Sequence, residues 1–183
     1  MNYADIKKVD VANGEGVRGS IFVSGCHHHC KGCFNECAWD FGYGNKFDEN
    51  AKEKVINYMN HDYIKGLSLL GGEPLEPSNQ EGLLPLVKEV KEKFPDKTIW
   101  CYTGYDFQKD IVDGMNKTNP TTKELLKYID VVVDGKFDEN QKSPKLRFRG
   151  SANQRILDAQ ETIKEDKPVE IPSLYEKDRP TFK

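Results

Sequence analysis

The stretch IFVSGCHHHCKGC, residues 21–33, joins a short apolar run directly to a loop that carries three cysteines. Residues 21–23 have the composition of a buried β-strand. Cys26, Cys30 and Cys33 then lie within eight residues of one another. Thiolates at this density repel one another unless a positive metal centre compensates their charge. This stretch therefore predicts a strand that ends in a metal-binding loop.

The number and spacing of the cysteines favour metal binding over disulfide bonding. The chain of 183 residues has five cysteines, an odd number, and four of them fall between Cys26 and Cys37. A secreted disulfide framework would spread its cysteines to close longer loops. The first seven residues are mixed and polar and lack the apolar centre of a secretion signal. We therefore expect a metal-binding protein of the reducing cytoplasm.

Length, charge and hydropathy exclude several classes of protein. A chain of 183 residues suits one domain, with a short appendage at most, and can bury a core without disulfides. The net charge of −3 and an isoelectric point near 5.9 argue against a nucleic-acid-binding surface, which is normally basic. The sequence has no apolar run of about 18 residues, so no membrane span is expected.

Short apolar runs alternate with amphipathic stretches along the chain. The predicted strands are residues 21–23, 66–70, 98–102 and 129–133, and the predicted helices are residues 48–60, 83–94 and 125–129. Repeated strand–helix units give right-handed crossovers and a mostly parallel sheet. A closed eight-stranded barrel typically needs about 250 residues. We therefore predict an α/β fold, an open, partial (β/α) barrel with mostly parallel strands.

Four polar or glycine-rich motifs follow the predicted strands. They are the cysteine loop, residues 71–74 (GGEP), residues 103–105 (TGY) and residues 134–136 (DGK). The carboxyl ends of parallel strands share one edge of a sheet, and ligands bind at that edge. The four motifs are therefore expected to converge on one site.

From the thiols alone, the identity of the metal centre stays open. The three cysteines of the loop could hold three irons of a cluster and leave the fourth iron for another ligand. Cys37 could instead complete a four-cysteine electron-transfer cluster or a zinc site. Cys101 falls inside an apolar strand and is predicted to be a small core residue. The three histidines at residues 27–29 are predicted to form a solvated loop.

The combined motifs resemble a known family. The Cys-x3-Cys-x2-Cys spacing and the GGEP motif are similar to those of the radical S-adenosylmethionine enzymes. Further similarity lies in residues 13–18 (NGEGVR), 22–26 (FVSGC), 100–105 (WCYTGY), 133–137 (VDGKF) and 149–155 (RGSANQR). Together these stretches resemble the activating enzymes of anaerobic ribonucleoside-triphosphate reductase, a group of glycyl-radical-enzyme activases. The fold implied is the partial barrel of the radical S-adenosylmethionine type.

This resemblance implies an oxidoreductase with a 4Fe-4S cluster that binds and reductively cleaves S-adenosyl-L-methionine. The resulting 5′-deoxyadenosyl radical would remove hydrogen from a glycine of the reductase. The implied partners are anaerobic ribonucleoside-triphosphate reductase and a one-electron donor such as reduced flavodoxin, with no nucleic acid and no membrane. The alternatives are an activase of another glycyl-radical enzyme, such as formate acetyltransferase, and a non-catalytic iron–sulfur or zinc module.

The resemblance also implies roles for individual residues. Cys26, Cys30 and Cys33 would ligate the cluster and so form the catalytic centre. The implied cofactor-binding residues are Gly32, Cys33, Phe34, Gly71, Gly72, Glu73, Thr103, Asp134 and Lys136. Glu73 would help to hold the methionine ammonium group, and Arg18 would hold the glycine loop of the reductase.

The end of the chain lies outside the resemblance. Residues 156–183 are rich in Lys, Glu, Asp and Pro and show little apolar periodicity. We therefore expect an activase domain over residues 1–155 and a polar tail over residues 156–183 that is peripheral or weakly ordered.

Overall fold

A mixed, open β-sheet forms the centre of the molecule. The computed structural model describes residues 1–175, and its strands are β1 Asn2–Asp10, β2 Val17–Val23, β3 Asn45–Lys46, β4 Ile64–Gly71, β5 Thr98–Tyr102, β6 Val131–Asp134 and β7 Arg155–Asp158. The strands form one seven-stranded sheet in the order β3-β1-β2-β4-β5-β6-β7. The predicted α/β class is confirmed, and the sheet is open.

Most helices connect the central strands and pack on one face of the sheet, whereas Leu174, in the last described helix, belongs to a second apolar cluster with Trp100 and Ile156. The α-helices are α1 Glu49–Met59, α2 Pro77–Lys93, α3 Asn116–Thr118, α4 Pro120–Leu125, α5 Ala159–Glu165 and α6 Pro172–Tyr175, and a π-helix spans Phe107–Met115. Asp48 caps the start of α1, since its carboxylate accepts a hydrogen bond from Ala51 N over 3.0 Å. The helix α2 ends shortly before Pro95, whose ring disfavours a helical residue ahead of it.

Parallel strands occupy the centre of the sheet and antiparallel strands its edges. β2, β4, β5 and β6 run parallel, so three of the six neighbouring pairs are parallel. The prediction of mostly parallel strands holds for this centre and fails at the edges. Residues 11–16 between β1 and β2 are too few for a crossover, so these strands form a hairpin. The link from β6 to β7 contains no α-helix, and β7 returns antiparallel.

The two faces of the sheet have different surroundings, because side chains alternate along a strand. Ile21, Leu67 and Cys101 have no exposed surface and belong to the apolar core that includes the helices. Cys101 is therefore the core residue that was predicted. Leu70 follows Leu67 by three residues and Tyr102 follows Cys101 by one, so both point to the other face, where they line a cavity.

The strand β7 and the helices α5 and α6 lie in the stretch predicted as a polar tail. The predicted boundary at residue 155 coincides with the first residue of β7, whose Ile156 and Leu157 are fully buried. Two apolar residues suffice for a short edge strand but give no periodic signal. Residues 176–183 of the predicted tail lie outside the described residues. Within residues 1–175, no helix has the length and apolar character needed to cross a membrane.

Candidate functional site

A sharp turn at Gly25 carries the chain from β2 into the cysteine loop. Gly25 has a φ of +99°, a conformation that glycine favours, and a Cβ there would overlap the ring of Phe41. Gly25 N donates a hydrogen bond to Ala38 O over 2.8 Å, and Cys26 N donates to Trp39 O over 3.1 Å. These bonds fasten the beginning of the cysteine loop to the helical turn that follows it.

The three cysteines of the predicted metal site line one cavity of about 630 Å³. Cys26 is buried, whereas Cys30 and Cys33 are half-buried. Cys37 is exposed, does not line the cavity, and lies with its Sγ 3.4 Å from the Oδ1 of Asn35. The fold thus groups three of the four neighbouring thiols around one space and leaves the fourth outside it.

The three thiols line the cavity without forming a compact site for a single metal ion. Among the described residues, no three His, Cys, Asp or Glu side chains converge on a point that one metal ion could occupy. In a cube-shaped cluster each thiolate binds a different iron, so the sulfurs surround a volume. Burial raises the pKa of the Cys26 thiol to about 11, although the backbone N–H groups of His28 and His29 donate to its sulfur. Iron binding at Cys26 therefore has to displace a proton.

Two glycines at the end of β4 let the GGEP motif lie directly against the cysteine loop. Gly71 has a φ of +110°, and Gly72 N donates to Val23 O over 2.7 Å. A Cβ at Gly72 would lie 2.6 Å from the carbonyl oxygen of Gly25. Both glycines line the cavity. A larger residue at either position would push the two loops apart at the site.

The buried amide of Asn79, on α2, holds these two loops together. Its Nδ2 donates to Ser24 O at 3.1 Å, to Gly25 O at 3.4 Å and to Glu73 O at 2.9 Å. Glu73 N also donates to Gly25 O over 2.8 Å. One side chain therefore fixes the distance between the ends of β2 and β4.

Glu73 has a carboxylate that lines the cavity although the residue is only 1% exposed. Its Oε1 accepts a hydrogen bond from Leu75 N at 2.8 Å. Its Oε2 accepts from Gly104 N at 2.7 Å and lies 2.9 Å from His28 Nε2. A carboxylate has about four lone-pair sites, so one site remains for a cationic group of a ligand.

Phe34 and Thr103 also line the cavity, as predicted for cofactor-binding residues. Phe34 is 70% exposed, its ring centroid lies 5.2 Å from that of Phe137, and the ammonium group of Lys142 lies 4.7 Å above it. Thr103 is buried, and its Oγ1 accepts a hydrogen bond from Tyr105 N over 3.1 Å. Phe34 thus offers a stacking surface, whereas Thr103 shapes the wall.

Three predicted cofactor-binding residues do not line the cavity. Gly32 adopts a φ of +72° and lies away from it. The buried carboxylate of Asp134 accepts hydrogen bonds from the guanidinium of Arg155, so it is used within the fold. Lys136 is exposed. Gly135, between these two, is the residue of the DGK motif that lines the cavity.

Arg18 lies inside the fold, away from any surface that a partner could reach. The residue is 1% exposed, its Nε donates to Ser68 Oγ at 2.8 Å, and its Nη2 donates to Leu67 O at 2.9 Å and Thr98 O at 2.7 Å. The guanidinium also packs over the ring of Trp100 at 5.3 Å. Burial lowers its pKa to about 10. Arg18, on β2, is therefore joined by hydrogen bonds to β4 and β5.

His28 is the main site residue that the sequence did not reveal. The prediction of a solvated loop for residues 27–29 is wrong for His28, whose side chain is 8% exposed and lines the cavity. It agrees with His27, whose side chain is 72% exposed. Glu73, the partner of His28, is 45 residues away in the sequence, so no local pattern indicates the contact. Trp39 and Tyr102 line the cavity as well, without a sequence signal.

Comparison with known proteins gives a consistent result over most of the chain. A family model described as "4Fe-4S single cluster domain" matches residues 12–157. A protein of Haemophilus influenzae is 48% identical over 158 residues, which cover 85% of this chain and 97% of the relative. Proteins of Vibrio cholerae and Escherichia coli K12 are 44% and 40% identical, with the same shares of both chains covered. All three relatives are named anaerobic ribonucleoside-triphosphate reductase-activating protein.

Proposed function

This chain belongs to the family of anaerobic ribonucleoside-triphosphate reductase-activating proteins, and we propose that it generates the glycyl radical of such a reductase. In the proposed reaction, Cys26, Cys30 and Cys33 hold a 4Fe-4S cluster. When bound, the cluster supplies the electron that cleaves S-adenosyl-L-methionine, which leads to removal of hydrogen from a glycine of the reductase. The protein is accordingly proposed to be a radical S-adenosylmethionine oxidoreductase.

One observation carries the proposal. The three thiols, the backbone of Gly71 and Gly72 and the Glu73 carboxylate line the same cavity. Its volume of about 630 Å³ falls within the range typical of small-molecule sites. A protein that only stores a metal or passes electrons needs no such space beside its thiols. The cavity therefore favours catalysis over a non-catalytic module.

The lining residues suggest how the substrate is held. Glu73 offers its open lone-pair site to the ammonium group of S-adenosyl-L-methionine. Gly71 and Gly72 allow the methionine portion to approach the backbone closely. Phe34 offers an exposed aromatic face to the adenine, and Thr103 forms part of the cavity wall. Gly32 adjoins Cys33, and Asp134 and Lys136 flank Gly135, so these three residues are proposed to support lining residues without touching the substrate.

Apolar side chains make up much of the remaining wall. Phe22, Leu70 and Phe148 line the cavity, and Phe148 packs against Trp100 with ring centroids 5.5 Å apart. Such a wall excludes water, which radical chemistry requires because a carbon radical removes hydrogen from nearly any neighbour. The same wall strengthens the electrostatic attraction between Glu73 and a cationic substrate.

The remaining assignments follow from this chemistry. We place it in residues 1–155 and propose that the open sheet is a partial barrel of the radical S-adenosylmethionine type. The glycine loop of the reductase enters the cavity from solvent, and a one-electron donor such as reduced flavodoxin approaches the half-buried thiols Cys30 and Cys33. The reaction is assigned to the cytoplasm and requires neither nucleic acid nor a membrane.

Anaerobically reconstituted protein tests the proposal. With a reductant and S-adenosyl-L-methionine, we expect 5′-deoxyadenosine and methionine as products. With the anaerobic reductase added, we expect a glycine-centred doublet in electron paramagnetic resonance, and none when formate acetyltransferase is offered instead. One bound zinc in place of about four irons would contradict the proposal. So would a loaded cluster that leaves S-adenosyl-L-methionine intact.

A further inference from the structure

Two neighbouring histidines each pair with a carboxylate, but only one pair lies in the cavity. His27 Nδ1 is 2.9 Å from Glu76 Oε1, and His28 Nε2 is 2.9 Å from Glu73 Oε2. His27 is largely exposed and His28 is buried. Of these four residues, His28 and Glu73 line the cavity. The chain thus carries two pairs of equal length in different surroundings.

The ring of His28 is fixed by what surrounds it. It packs edge to face against Tyr105, with centroids 4.5 Å apart. It also lies directly on Gly104, where a Cβ would overlap the ring. Beside an ionised Glu73 the Nε2 atom must carry a hydrogen, since a carboxylate only accepts. His28 therefore acts as the donor of the pair and has little freedom to turn.

Glu73 owes its position to three donors on three different loops. Leu75 N directly follows the GGEP motif, Gly104 N belongs to the TGY motif, and His28 belongs to the cysteine loop. Two of these donors are backbone groups, which no substitution removes without changing the loop. His28 is the side-chain donor, and it lies midway between Cys26 and Cys30.

We infer that His28 is a positioning residue that couples the cysteine loop to the cation-binding carboxylate of Glu73. This inference rests on the proposed function, in which Glu73 binds the ammonium group of S-adenosyl-L-methionine. The His28 ring joins the segment between Cys26 and Cys30 to the Glu73 carboxylate. Removing the donor leaves a buried lone-pair site unfilled and allows the carboxylate to turn away from the ligand. Groups that orient a ligating side chain in this way typically contribute about tenfold or more to affinity.

Equilibrium binding of two nucleosides to the iron-loaded protein tests the inference. S-adenosyl-L-methionine carries the ammonium group, whereas 5′-methylthioadenosine keeps the adenosine and sulfur but lacks that group. For His28→Leu, we expect the Kd for S-adenosyl-L-methionine to rise about tenfold or more. The iron content and the Kd for methylthioadenosine should stay unchanged. In His28→Gln a side-chain amide can donate in place of Nε2, so this variant should bind close to wild type.

The matched control is His27→Leu, which removes the exposed histidine of the other pair, outside the cavity, and should bind both nucleosides as wild type does. Equal affinity of His28→Leu and wild type for S-adenosyl-L-methionine would overturn the inference. A parallel loss of methylthioadenosine binding, or no recovery in His28→Gln, would overturn it as well. If His28→Leu does not load iron, His28→Asn, whose amide is too short to reach Glu73, must show the same selective loss. Failure of the proposed function looks different, because then the iron-loaded wild type does not bind S-adenosyl-L-methionine at all.

Discussion

The two faces of the central sheet use alternate residues of the same strands, yet they differ in composition. Ile21 and Leu67 pack against the helices without exposed surface. Ser20, the residue before Ile21, is equally buried on the other face, where its Oγ donates to Asp10 Oδ2 over 2.7 Å. One face packs against the helices through apolar side chains, and the other combines buried polar groups with the apolar wall of the cavity. A step of one residue along a strand thus separates the helix-covered core from the candidate site.

The largest effect is expected where the cavity face meets the cysteine loop. Cys33→Ser removes one of the three thiols at the cavity, and we expect iron content to fall and S-adenosyl-L-methionine cleavage to become undetectable. Cys26→Ser and Cys30→Ser should behave alike. Iron analysis and chromatography of 5′-deoxyadenosine measure both effects. The matched control is Cys37→Ser, whose exposed thiol lies outside the cavity and whose loss should change neither. An inactive Cys37→Ser beside an active Cys33→Ser would refute the ligand assignment.

The next effect compares the faces through one substitution on each. Arg18→Met leaves the acceptors of the guanidinium, among them Ser68 Oγ and Thr98 O, buried without a hydrogen bond. It should therefore lower the free energy of unfolding by about 3 kcal/mol. Leu67→Ala, on the helix-covered face, should lower it by a similar amount, about 3 kcal/mol. Urea unfolding measures both.

The two variants should differ in substrate binding. Ser68 Oγ donates to Asn13 O, and Asn13 lines the cavity, so Arg18→Met should also weaken S-adenosyl-L-methionine binding. Leu67→Ala should leave that affinity unchanged below its unfolding temperature. Weaker binding in Leu67→Ala together with unchanged binding in Arg18→Met would contradict this difference between the two faces.

A smaller effect concerns acid stability of the cavity face. Burial opposes ionisation of Asp10, but hydrogen bonds from Asn13 and Ser20 and from the backbone hold its pKa below the ordinary value. The stability that this contributes is present above about pH 4 and is lost as the pH falls further. Asp10→Asn should lower the free energy of unfolding by about 1 kcal/mol at neutral pH. It should also make the stability fall less steeply towards acid pH. Urea midpoints at neutral and acid pH measure it, and an equally steep decline in both proteins would speak against the assignment.

The smallest effect is expected on the helix-covered face. Ile99→Val removes one methylene from a fully buried side chain and should lower the free energy of unfolding by about 1 kcal/mol. Cleavage of S-adenosyl-L-methionine should stay at the wild-type rate, because the change lies on the face away from the cavity. Urea unfolding measures the change in stability, and product assays measure the cleavage rate. A clear loss of activity would contradict the expected difference between the two faces.

Local sequence patterns predicted the central strands well and the edges poorly. The predicted strand at residues 98–102 is β5 residue for residue, since it is an unbroken run that packs on both sides. The strand β1 was not predicted because only Ile6 and Asp10 are buried along it, which leaves no apolar run. An edge strand that pairs through its backbone needs few apolar side chains. Its sequence can therefore be mostly polar and lack the pattern of a buried strand.

The site shows the same division between local and distant signals. Cys26, Cys30 and Cys33 line one cavity, and their spacing alone places them on one loop. The contact of His28 with Glu73 depends on two loops that meet only in the folded sheet. Asp134 was expected at the cofactor, yet its carboxylate accepts a hydrogen bond from the guanidinium of Arg155. No sequence pattern indicates that pairing.

The clamp that Asn79 forms between the ends of β2 and β4 bears on how solvent reaches the three thiols. It holds the carbonyl groups of Ser24 and Gly25, just before Cys26, so the inner end of the cysteine loop is fixed to the sheet. Cys30 and Cys33 lie on the outer, half-buried part of the loop. The loop is thus anchored at its root, next to the buried thiol, whereas its tip carries the two thiols that solvent can reach.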